Sequence, residues 1–264
     1  MADITGEAVF FRLPKEIRLM IYESLLQGPD ENKIVIGNRA KSRNAEPLSV
    51  RRSTYHVQER GFQRALYRTT YEMKNYGPME TAIMAVNRRL YHEVAGYLYG
   101  SYAFHFGSDI EAVVPFLGDL SVPTLQALRS ITVHKARPFA SATDDSFWKS
   151  MCEFLSSAPK LRHLRIVLQG GRPRQAWDGP QELSTSDLRL LYATRNECLE
   201  WARQLAEARA SVDRMEIEAS IGPMVQPTTS EALIFAAFSA SIETTLLEFM
   251  RGDLQMPLLV DVAN

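Results

Sequence analysis

The 264-residue sequence predicts an α/β fold in which N-terminal helices join a small, mostly parallel sheet with crossover helices. Three observations carry that expectation. One apolar template recurs as Leu128-x-x-Ile131-x-Val133, Leu161-x-x-Leu164-x-Ile166 and Val212-x-x-Met215-x-Ile217, and each copy reads as a short alternating strand. Helical patterns separate the copies, with Phe147, Met151, Phe154 and Leu155 in one and Leu188, Leu191, Cys198, Leu199, Ala202 and Leu205 in the next. Strand, helix, strand in that order implies right-handed crossovers and therefore parallel neighbours. With 45% hydrophobic residues the chain can build a real core, which excludes global disorder.

Taken from the N-terminus, the first helix should start at Pro14, whose fixed φ suits the first helical position. At about 100° per residue, Leu13, Ile17, Met20, Ser24, Ile21 and Leu25 share one broad face, while Leu19, Tyr22 and Leu26 fall nearly opposite. A surface helix needs one apolar side, so the second must be covered by the chain's own core or by another protein. Residues 28–78 then read as a basic, loop-rich insertion with one strand candidate, Lys33 to Ile36, and a weak helical pattern through Phe62, Leu66 and Thr70. An amphipathic helix is expected from Met79 to Tyr99, with Ile83, Val86, Leu90, Val94 and Tyr97 on its apolar side and Gly100 as its stop. Tyr102-Ala103-Phe104-His105-Phe106 alternates as a strand with His105 turned away from the phenylalanines. The last helix, Ser230 to Met250, is apolar on most of its circumference and should be buried. The organisation expected is a helical part at 10–27 and 79–100, the insertion at 28–78, and an α/β interaction part at 101–264.

The net charge of -1 hides an uneven distribution. From Lys33 to Lys74 there are ten Lys/Arg against three Asp/Glu, and the remainder is acidic. Within that island, cations interleave with Phe62, Tyr67, Tyr71 and Tyr76, which makes Arg60, Arg64, Arg68 and Lys74 a candidate patch for an acidic protein partner or RNA. Because the chain as a whole is slightly acidic, nucleic acid is the disfavoured partner.

Catalytic motifs are missing from the sequence: there is no glycine-rich phosphate loop, no Gly-x-Ser-x-Gly, and His92-Glu93 lacks the second histidine of a zinc-protease helix. Histidines 56, 92, 105, 134 and 163 are too scattered for a local metal site, so no metal, cofactor or catalytic residue is assigned. Asp144 and Asp145 read as a helix N-terminus. Cys152 and Cys198 lie beside apolar neighbours and read as reduced core residues. The start MADITGEAVF has no basic region ahead of an apolar core, and the longest apolar run, Ala232 to Ile242, is broken by serines. The expectation is a non-enzymatic protein without a membrane partner, cytoplasmic and/or nuclear.

The opening helix also carries a resemblance. Leu13-Pro14-Lys15-Glu16-Ile17-x-x-x-Ile21-x-x-x-Leu25 resembles the first helix of an F-box, whose pattern is L-P-x-E-I-x-x-x-I-x-x-x-L. The longer form Leu-Pro-x-Glu-Ile-Arg-x-x-Ile-Tyr is similar to the opening of many fungal F-box-like proteins. Those continue, after a variable insertion, with an Arg-x-x-Tyr-x-Glu-Ala helix ending in Leu-Tyr-Gly before an aromatic strand. The counterpart here runs Asn87-Arg88-Arg89-Leu90-Tyr91-His92-Glu93-Val94-Ala95 to Leu98-Tyr99-Gly100, then Phe104-His105-Phe106. The resemblance implies contact with Skp1, the linker subunit of cullin-based ubiquitin ligases, through Leu13, Pro14, Ile17, Ile21 and Leu25. It implies an adaptor that presents an unknown protein substrate. An ordinary F-box closes its three helices without the long insertion found here. The recurring strand template is leucine-rich-repeat-like but degenerate, its spacing exceeding the roughly 20–29 residues of a regular repeat. Two rivals stay open: a stand-alone protein- or RNA-interaction domain in which the opening helix is only core, and an enzyme whose site is assembled from distant residues.

Overall fold

A computed structural model describes residues 9–26, 33–38, 51–58, 64–73, 80–135, 142–157, 161–174, 179 and 181–258. A short 3-10 turn, Val9–Arg12, leads into α1 (Lys15–Leu26), which starts one residue after Pro14. Then follow β1 (Lys33–Asn38), β2 (Arg51–Gln58), β3 (Arg64–Met73), α2 (Arg88–Ser101) and β4 (Ala103–Gly107). Two short helices, α3 (Val113–Gly118) and α4 (Val122–Ala127), precede β5 (Ser130–Lys135). The C-terminal half runs α5 (Ala142–Ser157), β6 (Leu161–Pro173), α6 (Thr185–Ala193), α7 (Glu200–Glu207), β7 (Val212–Met224), α8 (Ser230–Ser241) and α9 (Thr245–Gly252).

The strands form one sheet in the order β2-β3-β1-β4-β5-β6-β7. From β1 to β7 the five neighbours are all parallel, as the strand template and its intervening helices predict. Spatial order equals chain order along this run, so every crossover steps the same way and the helical layer collects on one side. Inward-pointing Phe104, Phe106, Ile131, Val133, Leu164, Ile166, Leu168, Met215 and Ile217 are buried in one continuous core with Leu90, Val94, Phe116, Trp148, Trp201, Leu246 and Phe249. Trp148 donates its indole N–H to the Trp201 carbonyl at 3.1 Å, which keeps that polar atom satisfied inside the core. Inward Lys135 is 1% exposed; its Nζ bonds the Asp145 carboxylate at 2.7 Å and lies 5.8 Å from the Trp148 ring centroid. Asp145 thus acts as the partner of a buried cation as well as an acid in the first turn of α5.

Four expectations are corrected. The 28–78 insertion is not loop-rich throughout: it supplies β1 and the β2–β3 hairpin, whose register runs from Arg51 opposite Tyr71 to Gln58 opposite Arg64. Leu66 and Thr70 lie on β3 and not on a helix, because a run of Tyr, Thr and Leu fits a pleated strand once a partner strand pairs with it. The helix expected from Met79 breaks. Thr81–Ala85 is a 3-10 turn, Asn87 is extended at φ -160°, and its side chain accepts from the Leu90 N–H at 2.9 Å, so α2 begins at Arg88. Val86, placed on the apolar stripe by periodicity, is 67% exposed as a result. Met79 itself lies outside the described residues.

The last helix breaks too, into α8 and α9 with a bend of 78°. Ser241 ends α8 while its hydroxyl meets the Leu183 N–H at 2.8 Å, which ties the break to the loop before α6. No single helix among the described residues is long and apolar enough to cross a membrane. α8 packs closely on the far end of β6. A Cβ added at Gly171 would come within 2.9 Å of the Phe235 ring, and the Gly171 N–H donates to Ser239 Oγ at 2.9 Å, so only glycine allows that approach.

Candidate partner-binding site

α1 divides as its two apolar sides require. Tyr22 and Leu26 are 0% exposed and sit in the core. On the other side Ile17 is 43%, Met20 64% and Leu13 36% exposed; Pro14 is exposed as well, and Ile21 and Leu25 are half-buried. All five residues expected to touch a partner therefore lie on the outer side or its margin. Two backbone links hold the end of the helix: the Tyr102 hydroxyl donates to the Leu26 carbonyl at 2.6 Å, and the Glu80 N–H to the Leu25 carbonyl at 3.0 Å.

What locks the inner side is polar. Arg18, only 8% exposed, donates from Nε to Oε2 of Glu93 at 2.9 Å, from Nη2 to Oε1 at 3.1 Å, and from Nη1 to the Leu13 carbonyl at 2.6 Å. The Tyr22 hydroxyl donates to the same carboxylate at 3.0 Å. Phe11 completes the clamp, its ring 4.1 Å from the Arg89 guanidinium and 5.8 Å from that of Arg18. Burial and the Glu93 contact push the Tyr22 hydroxyl up to about 12, so it remains a donor. Burial alone would raise Glu93, but the hydrogen bonds from Arg18 and Tyr22 outweigh it and hold the carboxyl below its ordinary value. The Glu93 contact likewise raises Arg18. The two motif blocks, 13–25 and 87–100, thus meet at one carboxylate. Sequence reading missed this clamp, although a signal was available: Arg18 and Tyr22 stand four residues apart on the core side of α1.

Arg60 and Lys74 lie outside the described residues, and Arg64 and Arg68 stand on β3 at the register positions of Gln58 and Thr54.

A second surface comes from the sheet itself. With the helices collected on one side, the other side of β4–β7 presents the alternate residues. Across the strands one row reads Ala103, Ser130, His163, Arg214 and the next His105, Thr132, Arg165, Glu216. An open depression of about 240 Å³ lies here, lined by Ser101, Ala103, His105, Arg129, Ser130, Thr132, His163 and Arg165. His163 Nδ1 is 3.0 Å from Ser130 Oγ, and its Nε2 is 3.5 Å from a Glu216 oxygen. Arg165 is ion-paired to Glu218 and approaches Glu216 at 3.6 Å. Burial first, then the cations of Lys33 and Arg165, push His105 down to about 4. Burial also lowers His163, against the pull of Glu216, so both rings are neutral at neutral pH.

Chemistry elsewhere is sparse. Cys152 and Cys198 are free and buried, and burial raises both thiols, Cys198 to about 12, so neither is an activated nucleophile. Among the described residues no three His, Cys, Asp or Glu side chains converge as a metal site.

Fold and surfaces together define a singly wound α/β domain with two exposed faces of different character, an apolar helix side and a polar sheet side. Residues 4–194 match a family described as a domain of unknown function (DUF7730), and since the match spans most of the chain, the protein belongs to that family. No curated protein and no solved structure matches it.

Proposed function

We propose that this protein is an F-box-like substrate adaptor: α1 docks on a Skp1-type linker through Leu13, Pro14, Ile17, Ile21 and Leu25, and the α/β part holds a protein substrate for a cullin-based ubiquitin ligase. The observation that carries the reading is the split of α1, with Leu13, Ile17 and Met20 exposed on one side while Tyr22 and Leu26 are sealed on the other. An apolar row left open on an otherwise anchored helix is what a partner helix surface covers. The resemblance of residues 13–25 to an F-box opening supplies the identity of that partner. The insertion does not separate the two helical blocks, since Arg18, Tyr22 and Glu93 join them directly. No reaction is assigned to the chain; its role on this reading is to bind, in the cytoplasm or nucleus.

Co-purification with Skp1 tests the proposal. The wild-type chain should retain Skp1, and Ile17→Asp with Ile21→Asp should abolish retention while leaving the melting temperature nearly unchanged, because Ile17 is exposed and Ile21 only half-buried. Absence of binding by the wild type, under conditions where an established F-box protein binds, overturns the reading.

A further inference from the structure

We infer that the open side of the parallel sheet binds an acidic segment of a protein partner, seating a carboxylate in the depression between Arg129 and Arg165. The inference rests on the adaptor reading for its context, since it names the class of substrate held, but its geometry is independent of α1. Among the described residues, the lining contains two guanidinium groups, two imidazoles and the hydroxyls of Ser101, Ser130 and Thr132, and no carboxylate. Every one of those polar groups can donate a hydrogen bond, and the guanidinium groups bring permanent positive charge. Two more cations flank the depression: Lys33 lies opposite Ala103 on the β1 side, and Arg214 opposite His163 on the β7 side.

Among the described residues, negative charge enters this face at Glu216 and Glu218 on β7, where it engages Arg165. Arg165 is 37% exposed in that pairing, so its ion pairs are of the solvent-accessible kind that an incoming carboxylate exchanges with little loss. Arg129 is exposed at the rim. Size argues for a side chain of a larger partner: at about 240 Å³ the depression falls below the usual range for a site that engulfs a small molecule. Chemistry argues against nucleic acid, because among the described residues no Phe, Tyr or Trp lines it for base stacking.

The test is fluorescence anisotropy on the full chain at low salt with a labelled octaglutamate peptide, alongside octaglutamine and a ten-nucleotide oligouridine. Octaglutamate should bind, octaglutamine should not, and Arg129→Glu should weaken octaglutamate by about tenfold or more. Lys33→Glu, at a second exposed position, should weaken it in the same direction, and thermal melting confirms that both variants fold. Equal binding of the two peptides, no binding of octaglutamate, unchanged affinity in both variants, or tighter binding of oligouridine overturns the inference. The Ile17→Asp, Ile21→Asp chain separates the two proposals: it should lose Skp1 and keep octaglutamate. A wild-type chain that binds the peptide but not Skp1 sinks the adaptor reading alone, whereas one that binds Skp1 but not the peptide sinks this inference alone.

Discussion

Two arginine–glutamate clusters, one behind α1 and one on the open sheet face, differ sharply in burial and in geometry. Around Glu93, Arg18 is almost wholly buried, both carboxylate oxygens are bonded, and Tyr22 and Phe11 close the cluster. Around Arg165, the glutamates come from a neighbouring strand, the side chains are a third to nearly half exposed, and two contacts, Arg165 Nε and His163 Nε2 to Glu216, exceed hydrogen-bond length. The first joins two helices far apart in sequence and cannot be rearranged without stranding a buried charge. The second is partly exposed to solvent, so its partners can be exchanged. A fixed clamp behind α1 lets the outer row of that helix stay in place unsupported by a partner, while an exchangeable cluster suits a face that receives one.

The comparison can be broken most forcefully at Glu93. Replacing it with leucine removes the acceptor of both Arg18 and Tyr22 and should produce the larger loss, a drop of several degrees or more in melting temperature by calorimetry. A small drop would mean that water reaches Arg18 and that the clamp is not structural.

Acid should separate the two regions by window. His105 is held neutral, its pKa pushed down to about 4, so the folded state takes up its proton later than the unfolded chain does. Its share of stability is intact above the ordinary histidine range and drains away as pH falls from there towards about 4. Glu93 is lowered from the ordinary carboxylate value, so its share is present above that value and is lost only as pH falls through the depressed one. Urea melts across pH should therefore show an upper phase reduced by His105→Gln, with His163 supplying part of the remainder, and a lower phase reduced by Glu93→Gln. Loss of both phases in either single variant would contradict independent clusters.

The smallest effect belongs to the sheet face. Glu216→Gln with Glu218→Gln should change stability by no more than about 1 kcal/mol in denaturant unfolding, as for exposed pairs generally. A loss several times larger would show that this cluster is as structural as the clamp.

Much of the fold was readable in the sequence because it rests on local pattern. The repeated Leu-x-x-Leu-x-Ile template placed β5, β6 and β7, the alternation through Phe104 and Phe106 placed β4, and Pro14 with its periodic neighbours placed α1. Two of the misread features, the hairpin and the break in the last helix, are settled by long-range contact. The β2–β3 hairpin exists through pairing with β1, and a helix-like spacing of Phe62, Leu66 and Thr70 carries no information about a partner strand. The helix at 88–101 was lengthened because periodicity outweighed the capping potential of Asn87, and the bend after Ser241 depends on a hydroxyl meeting the backbone near Leu183.

For the surfaces the division is sharper. By itself the sequence determined that α1 has two apolar sides and that Leu13, Ile17, Ile21 and Leu25 belong to one of them, because helical geometry assigns faces from spacing alone. Which side is sealed was decided only in three dimensions, where Glu93 draws Arg18 and Tyr22 inward from across the chain. The polar sheet face was likewise invisible in one dimension. His105, Arg129, His163 and Arg165 come from separate segments of the chain, and only a same-direction series of crossovers sets them side by side.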